Sequence, residues 1–255
     1  RHVFQPLMEQ DHRQNLRPAV ATAMRAVDGT TWEVTLDPRA RFHDGQSVTV
    51  EDIAFTVSRA GDVPNSPSSF RYATRPITGV EAVDATTIRI RTSQPTPLLP
   101  NFLALVMIVS KRHGEGATTA DYNAGRAMVG TGPYRHVSWQ PGNPVVMERN
   151  PAFHGPAPAF ARAEFRPIAN AGARVAALQA GDVDLIEIVP PDHFARFRGD
   201  TARFSVAESP SNRLIFLTLD SDREDSPFIR GKDGARISNP LRDARVRRAL
   251  SSAIN

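Results

Sequence analysis

The chain has 255 residues, of which 40% are hydrophobic and 23% charged, so it is long enough for one large or two modest globular domains. No apolar run reaches the ~18 residues that a membrane-spanning helix needs, and the absence of cysteine excludes disulfides, thiolate metal sites and a cysteine nucleophile. The net charge is +4, and only two of the 31 basic residues, Lys111 and Lys232, are lysines. Acidic residues are interspersed among the arginines, which favours an arginine-rich surface over the contiguous arginine face of a nucleic-acid module.

The first predicted elements are a strand, a turn and a helix. Residues 32–36 alternate apolar and polar side chains, as a half-buried strand does. The triplet His43-Asp44-Gly45 predicts a tight turn. Thr49 and Asp52 have capping-box spacing and precede an apolar stripe, which predicts the start of a helix.

A strand pair and two short helices are predicted next. Residues 77–83 and 87–92 read as paired strands around a turn. Residues 95–109 begin extended and become helical, and residues 120–129 form a short helix.

The break at Gly130-Thr-Gly-Pro133 opens a second series of elements. A hairpin of residues 134–140 and 145–149 is followed by a strand at 160–167. A helix then runs from Asn170 through Ala180, and Gly181 occupies the position after its end that favours glycine.

The remaining elements are three strands and two helical segments. Strands are predicted at 182–189, 204–207 and 213–219, the last with the continuous apolar pattern of a strand buried on both faces. A helical turn is predicted at 191–197. Asn239-Pro240 predicts a helix start, and the apolar side chains of that helix are expected to face inward until the sequence stops in mid-pattern, as in a truncated chain.

Several groupings of polar residues resemble chemical sites, and each has a simpler explanation. His43 and Asp44 suggest an acid–base pair but fit a turn better, because no nucleophile is near in sequence. Gly130-Thr-Gly132 is followed by proline and a strand, where a dinucleotide site needs a helix. Asp182 and Asp184 lie on one face of the predicted strand and Glu187 on the other, which favours a solvated strand end over a cation site. The seven histidines lack the spacing of metal ligands.

Five groups of segments occur in the order typical of one family. They are Phe4-Gln-Pro-Leu7; residues 32–55; residues 80–90 with Pro95-Thr-Pro97; Gly130-Thr-Gly-Pro-Tyr134 with Glu148-Arg-Asn-Pro151 and residues 177–185; and residues 239–250 with Ala253-Ile-Asn255. With them the chain resembles the family 5 extracellular solute-binding proteins, the peptide- and nickel-type receptors of ABC importers. It departs from the family pattern at Gln5, where an acidic residue is usual.

The resemblance implies an α/β fold like that of the type II periplasmic binding proteins, in its class C form. Such receptors have two lobes and enclose the ligand between them. The chain would be the first lobe, with the second lobe absent. Residues 1–9 and 130–238 would form the core α/β domain, 10–129 an inserted class-specific α/β subdomain, and 239–255 the start of the crossover helix into the second lobe.

The resemblance also implies where a ligand would bind. It places contacts on the loop after the first subdomain helix and on the inter-lobe edge of the core sheet. The matching residues are Ser69, Phe70, Arg71, Tyr72, Asn212 and Arg213. Aromatic walls and a few aimed polar groups suit a peptide-like solute, and Arg71 or Arg213 could bind a carboxylate with both guanidinium N–H groups. An ordinary loop and a strand end remain the alternative.

The expected function is non-enzymatic. The resemblance implies capture of a peptide or similar small polar solute in the periplasm and its delivery to an ABC permease, by a monomer that needs no cofactor or metal. A signal peptide, and in some members a lipid anchor, would lie outside this sequence. Two alternatives stay open: a receptor that passes its ligand state to a sensor protein, and a hydrolase using Asp44 or Asp184.

Overall fold

The structure is a computed structural model that describes residues 2–63, 69–211, 213 and 215–254. It consists of two compact units, Arg1–Pro210 and Ser211–Asn255. The strands are β1 (Met8–Gln10), β2 (Leu16–Pro18), β3 (Ala21–Ala26), β4 (Thr31–Leu36), β5 (Ile77–Ala82), β6 (Thr87–Thr92), β7 (Tyr134–Ser138), β8 (Val145–Arg149) and β9 (Arg162–Phe165). The helices are α1 (Val50–Gly61), α2 (Arg71–Thr74), α3 (Leu99–Leu103), α4 (Lys111–Gly114), α5 (Thr119–Asn123), α6 (Ala171–Ala180), α7 (Pro191–Gly199) and α8 (Ala244–Ser252). No described helix is long and apolar enough to cross a membrane.

The main core of the first unit lies against an antiparallel sheet with strand order β3-β4-β6-β5. Alternation places Val34, Ile88 and Ile90 on its buried face, each at most 1% exposed. Helix α1 adds Ile53 to the same core. Its start is confirmed as a capping box, in which the Thr49 hydroxyl accepts from the Asp52 N–H and the Asp52 carboxylate accepts from the Thr49 N–H.

The opposite face of this sheet carries ion pairs between neighbouring strands. Glu33 on β4 contacts Arg25 on β3 and Arg89 on β6. Arg91 on β6 contacts Glu81 on β5, with 3.2 Å between the Arg91 Nε and the Glu81 carboxylate. Arginines on this face are thus matched by carboxylates and form no contiguous basic surface.

A second antiparallel sheet has strand order β7-β8-β9. The predicted hairpin is confirmed, and Gly142 in its turn has a φ of +83°. Val3, near the start of the chain, packs with Tyr134 of β7 and Met147 of β8 in a small core separate from the main one. Val3 therefore contributes to the buried face of this sheet.

Residues 2–7, here called the N-terminal segment, connect the two sheets through backbone hydrogen bonds. The Val3 carbonyl accepts from the Gly132 N–H at 2.9 Å, and the Leu7 carbonyl accepts from the Ala21 N–H at 2.9 Å. The Gln5 carbonyl accepts from the Ile108 N–H at 2.8 Å. Because these bonds reach both sides of the unit, the segment determines how the two sheets are placed relative to each other.

Glycine is required where the Gly130-Thr-Gly-Pro133 stretch meets the N-terminal segment. A Cβ on Gly130 would lie 2.0 Å from the Val3 carbonyl oxygen, and one on Gly132 would lie 2.3 Å from the His2 carbonyl oxygen. Both obstacles are backbone atoms, which a side-chain rotation cannot move. The motif is a site of close backbone contact, which the sequence did not predict.

One further predicted helix is confirmed, and two predicted helical stretches are longer than the helices observed. Helix α6 is confirmed, with Asn170 as its N-cap and Gly181 after its end at φ +81°. The helix predicted at 120–129 is wrong beyond α5, because Gly125 takes a φ of +84° and ends the helical conformation. In the predicted stretch 95–109, only α3 is α-helical.

The three strands predicted after α6 are wrong for the residues that the structure describes. No neighbouring strand pairs with residues 182–189, and Ile188 has a φ of +61°, a left-handed value rare for a β-branched residue. Residues 204–207 and the described part of 213–219 are irregular as well. Ile215 is 89% exposed and Phe216 70% exposed, the reverse of the predicted burial. A β-strand forms only where its backbone can hydrogen-bond to a neighbouring strand. None of the described strands pairs with these residues.

The second unit contains the predicted C-terminal helical region in two pieces. Asn239 caps a 3₁₀ turn at Pro240–Arg242, and Asp243 then caps α8 by accepting from the Arg245 N–H. The prediction of one continuous helix is wrong, because Asp243 takes an extended conformation with ψ 120°. No residue of α8 is buried, so the predicted inward face is also wrong.

The close contact at Gly132 predicts a large effect of a single methyl group. We expect Gly132→Ala to destabilise the fold by about 3 kcal/mol or more, at the upper end of the overpacking range. Urea unfolding followed by circular dichroism measures the change. Gly199→Ala is the matched control, since Gly199 ends helix α7 with no atom within 4 Å of an added Cβ. Equal stability of the two variants would contradict the close contact.

Candidate ligand-binding site

The predicted residues Ser69, Phe70, Arg71 and Tyr72 lie together at the start of α2. The Ser69 hydroxyl donates to the Gly61 carbonyl at 3.1 Å and accepts from the Arg71 N–H at 3.1 Å. Ser69 therefore links the end of α1 to the start of α2. Its role in the structure is to position the next three side chains, and its hydroxyl is already engaged.

Three aromatic rings, Phe70, Tyr72 and Phe102, form what is here called the aromatic face. The Phe70 and Tyr72 rings have centroids 6.5 Å apart, and the Tyr72 and Phe102 rings meet edge to face at 6.4 Å. Phe70 is 42% exposed and Tyr72 55% exposed, whereas Phe102 packs against the main core. The aromatic face thus combines two exposed rings with a third that is packed against the core.

Arg71 is exposed and, among the described residues, forms no ion pair. It is free to bind an anion, in contrast to the paired arginines of the main sheet. Phe102 was not expected at this site. Its contact with Tyr72 links positions 30 residues apart, for which the sequence carries no signal.

The other two predicted residues belong to a different part of the chain. Arg213 lies in the second unit, is exposed, and its N–H donates to the Ser211 hydroxyl at 3.1 Å. Asn212 lies outside the described residues. The structure therefore brings four of the six predicted residues together on one stretch.

Two open cavities occur elsewhere on the first unit. One, of about 330 Å³, lies where the start of α1 meets α4 and is lined by charged and polar side chains, among them Glu51 and Lys111. These two form an ion pair at 3.1 Å across it. The other, of about 590 Å³, is lined by residues around α5 and the β7–β8 hairpin, including His136 and Trp139. Neither lining includes a predicted site residue.

The acidic residues considered for catalysis or metal binding do not converge. Asp44 pairs with His113, with 2.9 Å between carboxylate and imidazole. Burial raises the pKa of Asp44, but hydrogen bonds from His113 and from the Gln46 N–H outweigh it and lower the pKa overall. Within residues 2–63, 69–211, 213 and 215–254, no three His, Asp or Glu side chains come close enough to bind a metal ion.

His43 has a structural role in the predicted turn. Its Nε2 lies 3.1 Å from the Gly132 carbonyl oxygen, and its Nδ1 lies 3.3 Å from the Gly130 nitrogen. A carbonyl only accepts and a backbone N–H only donates, so the ring carries its proton on Nε2, and the unprotonated Nδ1 accepts from the Gly130 N–H. The Asn150 amide donates to the same carbonyl at 3.1 Å. The turn, the glycine motif and the Glu148-Arg-Asn-Pro151 segment therefore meet at one buried point.

Burial lowers the pKa of His43, and the positive charge of Arg135 acts in the same direction, against the opposing effects of the Gly132 bond and Asp44. Since the ring is neutral in the folded protein, protonation favours the unfolded chain. The stability that the neutral ring contributes is fully present above about pH 6.5 and is lost as the pH falls towards the lowered pKa.

We therefore expect His43→Gln to flatten the dependence of unfolding free energy on pH between about pH 6.5 and 5. The variant should also lose about 1–3 kcal/mol at neutral pH, because the Gly130 N–H loses its acceptor. Urea unfolding across this pH range measures both effects. The unaltered protein, measured in parallel, gives the reference slope. An unchanged slope in His43→Gln would rule out this role.

The sequence is similar to a known protein family and to several of its members. The family model described as bacterial extracellular solute-binding proteins, family 5 Middle, matches residues 15–255. The probable D,D-dipeptide-binding periplasmic protein DdpA of Escherichia coli (strain K12) is 28% identical over 228 residues, covering 88% of this chain and 40% of that protein. The glutathione-binding protein GsiB of Pectobacterium atrosepticum is 27% identical over 208 residues, covering 80% of this chain and 40% of that protein.

Among solved structures, the Escherichia coli murein tripeptide binding protein MppA is similar, with a TM-score of 0.69 and 25% identity over 79% of this chain and 43% of that one. The chain thus spans less than half the length of these relatives. The relatives are named as binding proteins, and the similar structures are type II periplasmic binding proteins. The chain belongs to the bacterial extracellular solute-binding proteins of family 5 and has the fold of part of a type II periplasmic binding protein.

Proposed function

We propose that this chain is part of the solute-capturing component of an ABC importer, which binds a peptide or similar small polar solute and delivers it to a membrane permease. The observation that carries the proposal is the aromatic face beside Arg71, which forms no ion pair within the part of the chain that the structure describes; the family model matches residues 15–255. Exposed aromatic rings packed on a buried core, next to an exposed arginine, suit reversible recognition of a polar solute. Binding of this kind needs no covalent step and no cofactor.

The proposal includes the domain arrangement expected from the sequence. Residues 1–9 and 130–238 form the core domain, 10–129 the inserted subdomain, and 239–255 the first part of a crossover into a second lobe. The solute is then enclosed when the two lobes close around it, and the closed form is what the permease recognises. The binding free energy comes from desolvation between the lobes and a few buried hydrogen bonds, less the cost of ordering.

The separate surroundings of Asp44 and Asp184 support a non-catalytic role. Asp44 is hydrogen-bonded to His113 and to the Gln46 N–H, so it is not poised as a free base. Asp184, the other residue considered for a hydrolase, is exposed in an irregular stretch. We further propose that the protein acts in the periplasm as a monomer, in keeping with the periplasmic location in the name of DdpA.

This proposal predicts a large difference in affinity between the 255-residue chain and a protein that also contains a second lobe. Calorimetric titration with a library of di- and tripeptides should give a Kd near or above about 1 mM for the chain alone, and at least about 100-fold tighter binding for the two-lobed protein. Tight binding by the chain alone would contradict the half-site arrangement. Peptide hydrolysis during the titration would contradict the non-catalytic role.

Within the two-lobed protein, the aromatic face should contribute directly. Tyr72→Ala is expected to weaken binding about tenfold, since truncating an aromatic contact costs more than about 1 kcal/mol. Phe160→Ala is the matched control, because the Phe160 ring is 71% exposed outside the aromatic face. Equal affinities of the two variants would show that the ligand does not contact Tyr72.

A further inference from the structure

The cavity between α5 and the β7–β8 hairpin, here called the hairpin cavity, has a volume of about 590 Å³. One wall is the end of α5, at Ala124 and Gly125, and the other is the hairpin, through residues 136–140, 143–144 and 146. No residue of the aromatic face lines it. Small-molecule sites in proteins have volumes of about 300–1,000 Å³, so the hairpin cavity is large enough for a ligand of its own.

A β-bulge in β7 shapes the hairpin side of the cavity. His136 pairs with Met147 and Ser138 with Val146, so β7 has one residue more than β8 at this point. In a regular strand, alternate side chains point to opposite faces. The bulge and the turn that follows it instead allow five consecutive residues, 136–140, to line the cavity.

Gly125 allows the end of α5 to approach the hairpin. It has a φ of +84°, and a Cβ at this position would lie 2.8 Å from two atoms of the His136 ring. The imidazole therefore packs against the backbone at the end of α5. Burial lowers the pKa of His136, which keeps the ring neutral at physiological pH, with one nitrogen as donor and the other as acceptor.

The lining of the hairpin cavity is polar but carries no Asp, Glu, Lys or Arg among the described residues. Its polar side chains are His136, Ser138, Trp139, Gln140 and Asn143. Within the described ranges, none of these side chains hydrogen-bonds to another residue. Their donors and acceptors are therefore available to a ligand.

The cavity at the start of α1 differs in both respects. Glu51 and Lys111 form an ion pair across it at 3.1 Å. The Asp52 carboxylate accepts from the Thr49 N–H at 2.9 Å and from the Lys111 N–H at 2.8 Å. Its charged groups are already paired with one another, so the hairpin cavity is the better candidate for a binding site.

The lining of the hairpin cavity determines which chemical class of ligand fits. A charged ligand would lose hydration without meeting an opposite charge, and a purely apolar ligand would remove water from the polar side chains without replacing its hydrogen bonds. A neutral saccharide satisfies both conditions. Its hydroxyls donate and accept, as the amides of Gln140 and Asn143 do, and the C–H face of its ring can pack on the indole of Trp139.

We propose that the hairpin cavity binds a neutral saccharide, with a sugar ring packed on Trp139 and its hydroxyls hydrogen-bonded to Gln140 and Asn143. This site is additional to the proposed solute site, because its lining shares no residue with the aromatic face. The saccharide and the peptide-like solute are thus two different ligands that bind at separate places.

The test is an NMR titration of the ¹⁵N-labelled 255-residue chain with methyl β-glucoside and, separately, with methyl β-glucuronide, in which a carboxylate replaces the hydroxymethyl group. The glucoside should bind with a Kd of about 10 mM or below, and its chemical-shift changes should map to residues 124–125 and 136–146. The glucuronide should bind at least about fivefold more weakly, since its carboxylate loses water without gaining a cationic partner. Equal or tighter binding of the glucuronide would overturn the assignment of a neutral ligand.

Two variants test the residues of the site. Trp139→Ala should weaken binding of the glucoside at least about fivefold, and Gln140→Ala about threefold. Gln140 is exposed, so its substitution leaves the fold intact even where loss of the indole does not. Phe160→Ala is the control and should bind as the unaltered chain does, because the Phe160 ring is exposed and does not line the cavity. Circular dichroism verifies that each variant is folded.

Three results would overturn the saccharide site. They are the absence of shifts on addition of the glucoside, shifts that map to residues 69–72 in place of the cavity, and an unchanged affinity for the glucoside in both Trp139→Ala and Gln140→Ala. None of these results bears on the proposed solute-binding function, which calorimetry with peptides tests separately.

Discussion

The architecture depends on the contact between the N-terminal segment and the Gly130-Thr-Gly-Pro133 stretch. The Val3 carbonyl accepts from the Gly132 N–H at 2.9 Å, and this approach is possible only because residues 130 and 132 lack a Cβ. On the other side of the stretch, His43 and Asn150 both donate to the Gly132 carbonyl. Three segments far apart in sequence are thereby joined at one point. Gly130, Gly132 and His43 thus have structural roles at this junction.

The junction matters for the binding site because the same segment continues into the main core. Leu7 is 2% exposed and belongs to the core that includes Ile53 of α1 and Ala73 of α2. Helix α2 is thereby supported from behind, while Phe70 and Tyr72 stay exposed on its outer side. A helix of four residues is not stable in isolation. Packing against the rest of the unit therefore has to stabilise α2. A rigid base of this kind lowers the entropic cost of ordering side chains around a ligand.

Predictions from sequence succeeded where the signal is local. The capping box at Thr49 and the glycine after α6 depend on residues a few positions apart, and both were found. They failed where structure depends on distant partners: residues 182–189 have a strand-like composition but no described strand beside them. The same distinction between local and long-range signals applies to the candidate site. Tyr72 was predicted from its position in a family pattern, but its contact with Phe102 emerges only in three dimensions.

The proposed function requires that this chain recognises a solute through the α2 surface by shape and charge without transforming it. The most direct measurement is a crystal structure of the two-lobed protein purified from its own host with its natural ligand retained. We expect an intact ligand in contact with Tyr72 and Arg71. The natural ligand bound instead in the cavity around His136 and Trp139, with Tyr72 still open to solvent, would contradict it.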